Sequence, residues 1–360
     1  MAKRAACAAT WMGWALVVVG LAPAAEASDT RRWIITVDNG TVAGEQTLTC
    51  DADGACRGRF IFKDNGRGPE LDEVFRRAAD GSLASYRATG ATTFGSKVDE
   101  RFDVEGGKAT WASSTEQGAS DAPGGRLYVP FNQSVAIADL MFQAAARRGN
   151  TLDLLPSGRM TQREVARTTV GQGAMRREVA LVAQSGLGLT PSFGWVTTGE
   201  SPTLFGFIVP GYLAALPEGY QSEEKRLGEL QQAAEADLLA GLSQRLATPM
   251  PGLSVILNAR VFDSEAGTLG EALSDVYVLR GRIAAVLPAG SDRRGAARSF
   301  DAGGRVLLPG LFDMHGLVGR WEGGLNLAAG VTTVRDMGND NATVQRIIDE
   351  TARGELFGPQ

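Results

Sequence analysis

The sequence has very little histidine and cysteine and no excess of positive charge. One of its 360 residues is a histidine, His315, and three are cysteines. A site that needs several imidazoles from this chain is therefore excluded. Lys and Arg together number 36, against 41 Asp and Glu, which gives a net charge of -5. Because neutralising several phosphates requires clustered basic residues, we expect no nucleic-acid partner.

Two common catalytic motifs are also missing. The chain has no Gly-x-Ser-x-Gly segment, so a serine nucleophile on a strand-to-helix turn is not predicted. The pairs Gly171/Gly173 and Gly186/Gly188 lack the third glycine of a dinucleotide-binding loop, and we interpret both as turns.

Long apolar runs are scarce, and the strongest lies near the N-terminus. Residues 1–27 begin with a basic pair, continue through an apolar stretch at 11–21 and end with Ala25-Glu26-Ala27. This pattern is typical of a secretory signal peptide, and it predicts cleavage before Ser28 and a periplasmic or secreted protein. An uncleaved anchor is the alternative, because residues 5–22 barely reach the length of a membrane span. After cleavage we expect no stable membrane span.

Export changes the interpretation of the cysteines. Cys7 lies in the predicted signal peptide, so the mature chain keeps Cys50 and Cys56, an even pair in an oxidising compartment. Residues 51–55 have turn chemistry and lie between two strand-like runs. We predict a disulfide between Cys50 and Cys56 across this hairpin, with two free thiols as the alternative. A zinc site made of cysteines alone is excluded, because no second pair exists.

The mature chain divides into four parts by its hydrophobic pattern, and together they predict an α+β protein. Residues 28–220 alternate as antiparallel strands around one helix at 134–148, which predicts a β-rich N-terminal domain resembling a half-open barrel. Residues 221–250 predict a linker helix, and residues 251–309 a small β composite domain. In residues 310–360, strands alternate with helices, as in parallel βα units. The apolar stripe predicted on the linker helix consists of Leu227, Leu230, Ala234, Leu238, Leu242 and Leu246.

An ordered set of motifs lies between residues 258 and 338. Its centre is residues 305–315, Arg-Val-Leu-Leu-Pro-Gly-Leu-Phe-Asp-Met-His. The flanking motifs are Asn-Ala-Arg-Val-Phe-Asp at 258–263, Gly-Arg-Ile at 281–283, Asp-Ala-Gly-Gly-Arg at 301–305 and Gly-Val-Thr-Thr-Val-Arg-Asp-Met-Gly at 330–338. The set resembles the opening of the amidohydrolase superfamily, especially the branch related to imidazolonepropionase and to secreted dipeptidase-like enzymes.

The resemblance implies a (β/α)8 TIM barrel, of which residues 310–360 would be the first two βα units. It also implies metal-dependent hydrolysis of C–N bonds, in amides or cyclic amides, with zinc or another divalent metal as cofactor. The substrates would be small molecules or peptides. A bound metal lowers the pKa of its water and polarises the scissile carbonyl, which is the chemistry that such a site supplies.

The family's first metal motif is His-x-His at the carboxyl end of a barrel strand, where side chains at i and i+2 project the same way. His315 occupies the first of these positions, but the second is Leu317, which has no lone pair. Only 46 residues follow Met314, whereas a closed barrel takes roughly 250. We therefore expect a truncated barrel that is inactive alone, with His315 a vestigial ligand, metal not tightly bound and no catalytic residue assigned.

Other polar residues near these strands have structural interpretations. Asp313 is expected to be a structural hydrogen-bond acceptor. Asp336, after the second barrel strand, faces the active-site mouth, pairs with Arg335 or caps the next turn. Asn339 and Asp340 are expected to cap the final helix.

The β-rich part supports a second hypothesis from a different class. A sheet with a hydrophobic concave face can hold a lipid or peptide. The chain would then be a periplasmic binding module for an apolar or peptide ligand, with the hydrolase remnant as a passive appendage.

Overall fold

The computed structural model describes residues 29–37, 40–121, 124–339 and 341–359. The predicted signal peptide at residues 1–27, Cys7 and Asp340 lie outside the described residues. Among the residues that the structure describes, strands account for 48% and helices for 18%, so the fold is dominated by sheets.

Fifteen strands form one large sheet. Along the sheet, the strand order is β8-β7-β6-β5-β4-β3-β2-β1-β15-β14-β13-β12-β11-β10-β9. Every neighbouring pair is antiparallel except β9 and β10, which are parallel. The predicted antiparallel, β-rich architecture is therefore confirmed. The strands are β1 Asp29–Val37, β2 Thr41–Cys50, β3 Ala55–Phe62, β4 Glu70–Arg77, β5 Leu83–Ala91, β6 Lys97–Glu105, β7 Lys108–Ala112, β8 Gln117–Asp121, β9 Arg126–Tyr128, β10 Thr151–Leu155, β11 Arg159–Val170, β12 Arg177–Ser185, β13 Ser192–Thr197, β14 Leu204–Val209 and β15 Leu213–Pro217.

The sheet curls until strands from its opposite ends meet. Phe102 of β6 stacks on Tyr128 of β9, with ring centroids 4.6 Å apart and planes at 7°. The Tyr128 hydroxyl also donates to the Glu100 carboxyl of β6 over 2.8 Å. The concave face that results is mostly apolar, because alternate residues along strands such as β4 point inward: Leu71 and Phe75 are buried, whereas Asp72, Val74 and Arg76 are exposed.

A helix fills this concave face. Helix α1, Val135–Ala146, begins at the N-cap Ser134, whose Oγ accepts from the Ile137 N–H. Ten of its twelve residues are buried, and they include Asp139 and Gln143. A helix that is apolar on nearly every side is one that is surrounded by protein.

A second helix, α2, Glu224–Leu246, lies within the segment predicted as a linker. Its buried residues are spaced four apart: Leu227, Gln231, Glu235, Leu239 and Ser243. The predicted apolar stripe is wrong in part, because Leu230 is 37% exposed and Leu246 is 61% exposed. Polar side chains occupy the buried face because they find hydrogen-bond partners there, which apolar periodicity does not reveal.

Helix α2 packs against two parts of the molecule. Leu227 joins an apolar cluster on the outer face of the large sheet that includes Trp195 and Phe205. Leu239, three turns later, packs with Ile347 and Leu356 near the end of the chain. The helix therefore joins the large sheet to the C-terminal segment by side-chain packing.

The rest of the chain forms a six-stranded sheet and a two-stranded one. The first comprises β16 Leu253–Asp263, β17 Thr268–Leu269, β18 Ser274–Leu279, β19 Arg282–Pro288, β20 Arg298–Asp301 and β21 Val306–Leu307. The second pairs β22, Leu311–Gly316, in parallel with β23, Val331–Asp336. Helix α3, Glu322–Ala328, connects these two strands, and α4, Asn341–Ala352, follows. This is the βα order that the sequence predicts, although the described residues do not form a closed barrel.

No helix of the described ranges combines the length and the apolar character that crossing a bilayer would need.

The disulfide prediction is confirmed. Cys50 ends β2 and lies directly opposite Cys56 of β3, with Cα atoms 4.1 Å apart and the two sulfurs bonded. The turn between them is closed by the Asp51 N–H, which donates to the Ala55 carbonyl over 2.8 Å.

We expect the double substitution Cys50→Ser/Cys56→Ser to lower the free energy of unfolding by about 2 kcal/mol, because the disulfide closes a short loop in the unfolded chain. Urea unfolding under oxidising conditions measures this. Ala55→Ser, in the same hairpin, is the matched control and should leave the midpoint unchanged. A double variant as stable as the parent would contradict the expectation.

Candidate functional site

The first candidate site lies where β22 ends, at the position that the sequence predicts for a metal ligand. His315 is exposed, and its backbone N–H donates to Asp313 Oδ1 over 3.0 Å. Asp313 therefore acts as a structural acceptor, as expected. Leu317, in place of the second imidazole, is 65% exposed.

Asp336 ends the neighbouring strand, β23, and is engaged by the backbone. Its carboxylate accepts from the N–H groups of Val318, Gly338 and Asn339 over 2.8 to 3.0 Å. Burial alone would raise the pKa of Asp336, but these donors outweigh it and lower the pKa to about 2. Asp336 therefore caps the turn that follows β23, which is one of the three roles expected from the sequence. Arg335 instead donates from Nε to the Met314 carbonyl over 3.0 Å.

Asn339 has a different role from the predicted helix cap. Its Nδ2 donates to the Val318 carbonyl over 3.0 Å and to the Asp336 carboxylate over 2.5 Å. It therefore holds the loop after β22 against the loop after β23. The Asp336 carboxylate accepts several nearby donors, and the Asn339 side-chain amide is one of them. Asn339 therefore finds its hydrogen-bond partner within its own turn.

This strand end does not fit a catalytic metal. Across the described ranges, no group of three or more His, Cys, Asp or Glu side chains is arranged to hold a metal ion. His315 has a leucine where its partner would be, and Asp336 is already saturated by backbone donors. A single neutral imidazole does not hold a catalytic metal, so we derive no reaction step through one.

The second candidate site is a mostly apolar cavity of about 450 Å³. It lies where α1, α2, strand β14 and the segment 187–193 meet, and Trp321 closes one side. The sequence does not indicate this cavity, since its walls come from distant parts of the chain. The lining comprises Phe60, Gln133, Ser134, Val135, Ala138, Met141, Phe142, Gln184, Leu187, Thr190, Pro191, Ser192, Phe193, Phe207, Ile208, Val209, Pro210, Gln231, Glu235, Trp321 and Glu322.

Two buried polar residues of α2 line this cavity. Gln231 is 2% exposed and Glu235 is 9% exposed. Gln231 Nε2 donates to Glu235 Oε1 over 2.9 Å, and Trp321 Nε1 donates to Glu235 Oε2 over 2.9 Å. The carbonyl oxygen of Gln231, Oε1, is buried without a hydrogen-bond partner. Gln and Glu on a highly charged helix are expected to face solvent, so the sequence does not indicate that this pair is buried.

A buried carboxyl lies behind one wall of the cavity. Ser134, in that wall, donates from Oγ to Glu73 Oε2 over 2.6 Å, and the Tyr86 hydroxyl donates to Glu73 Oε1 over 2.9 Å. Burial raises the pKa of Glu73 to about 7, although both hydroxyl donors lower it, and Glu100 adds a smaller rise. A carboxyl of this kind changes its charge near neutral pH inside the apolar core.

Comparison with known proteins finds relatives of part of the chain. No family model matches the chain. Adenine deaminase 3 of Rhizobium johnstonii is 44% identical over 61 residues, which are 17% of this chain and 10% of that protein. Dihydroorotase of Solibacter usitatus is 43% identical over 61 residues, 17% of this chain and 13% of that protein. Adenine deaminase of a Chelativorans strain is 40% identical over 84 residues, 21% of this chain and 13% of that protein.

These three relatives are members of the amidohydrolase superfamily. The resemblance predicted from the motifs is thus confirmed for the matched stretch. The chain spans about a tenth of the length of the curated relatives that it matches.

Two solved structures are also similar in part. A Xaa-Pro dipeptidase with methionine bound in its active site is 17% identical, with a TM-score of 0.27, over 30% of this chain and 32% of that one. A β-barrel-like protein of a domain of unknown function from Brucella abortus is 12% identical, with a TM-score of 0.35, over 53% of this chain and 96% of that one. TM-scores this low do not establish a shared fold.

We expect the protein to lose stability as the pH rises from about 5 to about 8. Glu73 has a pKa of about 7 when folded and an ordinary value when unfolded, so the folded state binds the extra proton. The stabilisation from Glu73 is complete below its pKa in the unfolded state and is lost as the pH rises through its pKa in the folded state. The resulting change in the free energy of unfolding is on the order of 3 kcal/mol at most.

Glu73→Gln should flatten this pH dependence, because the amide does not ionise. The measurement is urea unfolding at a series of pH values. Glu70→Gln, on the same strand but partly exposed, is the matched control and should keep the parental slope. The assignment fails if Glu73→Gln and the parent chain show the same slope.

Proposed function

We propose that the C-terminal part of this protein derives from a metal-dependent hydrolase that cleaves C–N bonds in amides or cyclic amides. The observation that supports this most directly is the parallel pair β22 and β23, with His315 near the carboxyl end of β22. Amidohydrolase-family relatives that act on C–N bonds match part of the chain. The substrates would be small molecules or peptides, and the metal would be zinc or another divalent ion.

We further propose that the 360-residue chain is inactive as a hydrolase on its own. His315 would be the vestige of a ligand pair whose second member is now Leu317. In this proposal the carboxylates nearby have structural roles, since Asp313 and Asp336 accept backbone N–H groups.

Export to the periplasm or the medium is part of the same proposal. The pattern of residues 1–27 supports it, as does the disulfide between Cys50 and Cys56, because such bonds persist mainly in oxidising compartments.

A second candidate function, ligand binding, is favoured by the cavity beside α2. Its volume of about 450 Å³ is within the range of small-molecule sites, which are mostly apolar with a few convergent polar groups. The carboxylate of Glu235 is such a polar group. This candidate needs no catalytic residue, and its ligand is considered in the next subsection.

The proposed descent of His315 predicts a gain of metal binding. The parent chain should bind zinc only weakly and show no amide or cyclic amide hydrolysis. Leu317→His should raise zinc affinity by roughly tenfold or more, because it restores the i and i+2 imidazole pair. Titration calorimetry with zinc measures both.

Met314→His is the matched control, since adjacent residues on a strand point to opposite faces. It should leave zinc affinity near the parental value. Equal gains in the two variants would argue against an inherited ligand position. Tight stoichiometric zinc with turnover by the parent chain would refute the proposed inactivity.

Export predicts a defined mature N-terminus. When the full chain is produced in a bacterial host, the protein outside the cytoplasm should begin at Ser28. Ala27→Arg should block cleavage, because a small residue is required there, whereas the control Ala27→Ser should be processed normally. N-terminal sequencing of fractionated protein checks this, and an unprocessed chain in the membrane fraction would instead support the anchor.

A further inference from the structure

The unpartnered oxygen of Gln231 has a fixed position. Gln231 Nε2 donates to two groups that can only accept, the Ile208 carbonyl over 3.1 Å and the Glu235 carboxylate over 2.9 Å. Exchanging the amide nitrogen and oxygen would place an acceptor against both, so the amide orientation is determined. Oε1 has no accessible surface, so it faces protein rather than the open cavity, and Gln231 acts at this site through Nε2, which orients the Glu235 carboxylate.

Glu235 adds negative charge beside this amide. It accepts from Gln231 and from the Trp321 indole, but within the described ranges it forms no ion pair. Arg320, the basic residue beside Trp321 in the sequence, is directed to Glu350 over 2.9 Å and to the Gln232 carbonyl over 3.2 Å. Buried carboxylates are normally paired with a cation, so this one is available to a cationic ligand.

The remaining walls suit a cation with an apolar body. The lining includes two carboxylates, Glu235 and Glu322, and contains no Lys, Arg or His. Phe193 and Trp321 lie on the same side, with ring centroids 6.0 Å apart, and aromatic faces attract cations. Apolar side chains such as Met141 and Phe207 make up most of the other walls.

We propose that this cavity binds a small organic amine, with its ammonium group at the Glu235 carboxylate and its apolar substituent against α1 and β14. The ligand supplies the positive charge that Glu235 lacks. This inference rests on the binding function proposed above and names the ligand class for it.

The first test compares three probes of equal length on the purified full chain by titration calorimetry: n-hexylammonium, n-hexanol and n-hexanoate. We expect n-hexylammonium to bind roughly tenfold or more tightly than n-hexanol, since hydrogen bonds to charged groups are the stronger ones, and n-hexanoate to bind most weakly. Equal or stronger binding of n-hexanol or n-hexanoate would overturn the amine proposal while retaining a binding function. Binding of none of the three would overturn both.

The second test uses variants of α2. Glu235→Gln removes the charge but keeps an acceptor for the Trp321 indole, so n-hexylammonium affinity should fall roughly tenfold to hundredfold while n-hexanol affinity is unchanged. Asp237→Asn makes the same charge change on the exposed side of the helix and should have no effect on either probe. A thermal melt of each variant verifies folding, and the probe series on the parent chain does not depend on any variant folding. Equal losses in both variants, or none in Glu235→Gln, would overturn the assignment.

Discussion

The burial of α1 inside the curled sheet is the interaction on which the rest of this structure depends. The side chains on the concave face of a fifteen-stranded sheet are too many to be buried by the sheet alone. Helix α1, which is apolar on nearly every side, covers them. Ser134 is placed by this packing, because it caps α1. The place of Ser134 in the cavity wall and its hydrogen bond to Glu73 both follow from where α1 begins.

Polar groups in this interior are satisfied to different degrees. Asp139 on α1 is fully engaged: it receives the Arg31 guanidinium, the Gln143 amide and the Leu204 N–H. Burial raises the pKa of Glu73 to about 7, because its two hydroxyl donors only partly offset the loss of water. Gln46 and Gln231 each keep a buried amide oxygen without a partner among the described residues, so such an oxygen does not by itself indicate a ligand. The carboxylate of Glu235, which accepts from Gln231 and Trp321 but forms no ion pair within the described residues, is the group that a cationic ligand would complete.

The features that the sequence predicts are those set by short-range patterns. The Cys50–Cys56 hairpin, the alternating strands and the βα order after residue 310 each depend on a turn signal or a periodicity within one segment. The features it does not predict depend on contacts between distant segments. The buried face of α2 includes Gln231 because the Ile208 carbonyl lies opposite, and that carbonyl belongs to a strand more than twenty residues earlier. The pKa of Glu73 likewise depends on Ser134, which is 61 residues away in sequence.

The two parts of the molecule are linked through Trp321, in the loop after β22. Its indole donates to Glu235 of α2 and forms part of the cavity wall, while the adjacent Arg320 reaches both α2 and Glu350 of α4. The C-terminal part therefore contributes contacts to the cavity wall beside the β-rich part. If a ligand occupies the cavity, it contacts a residue of the amidohydrolase-like segment, so binding energy is shared between the two parts. Conversely, a change in the loop that follows His315 would alter the cavity through Trp321 without any change in the sheet.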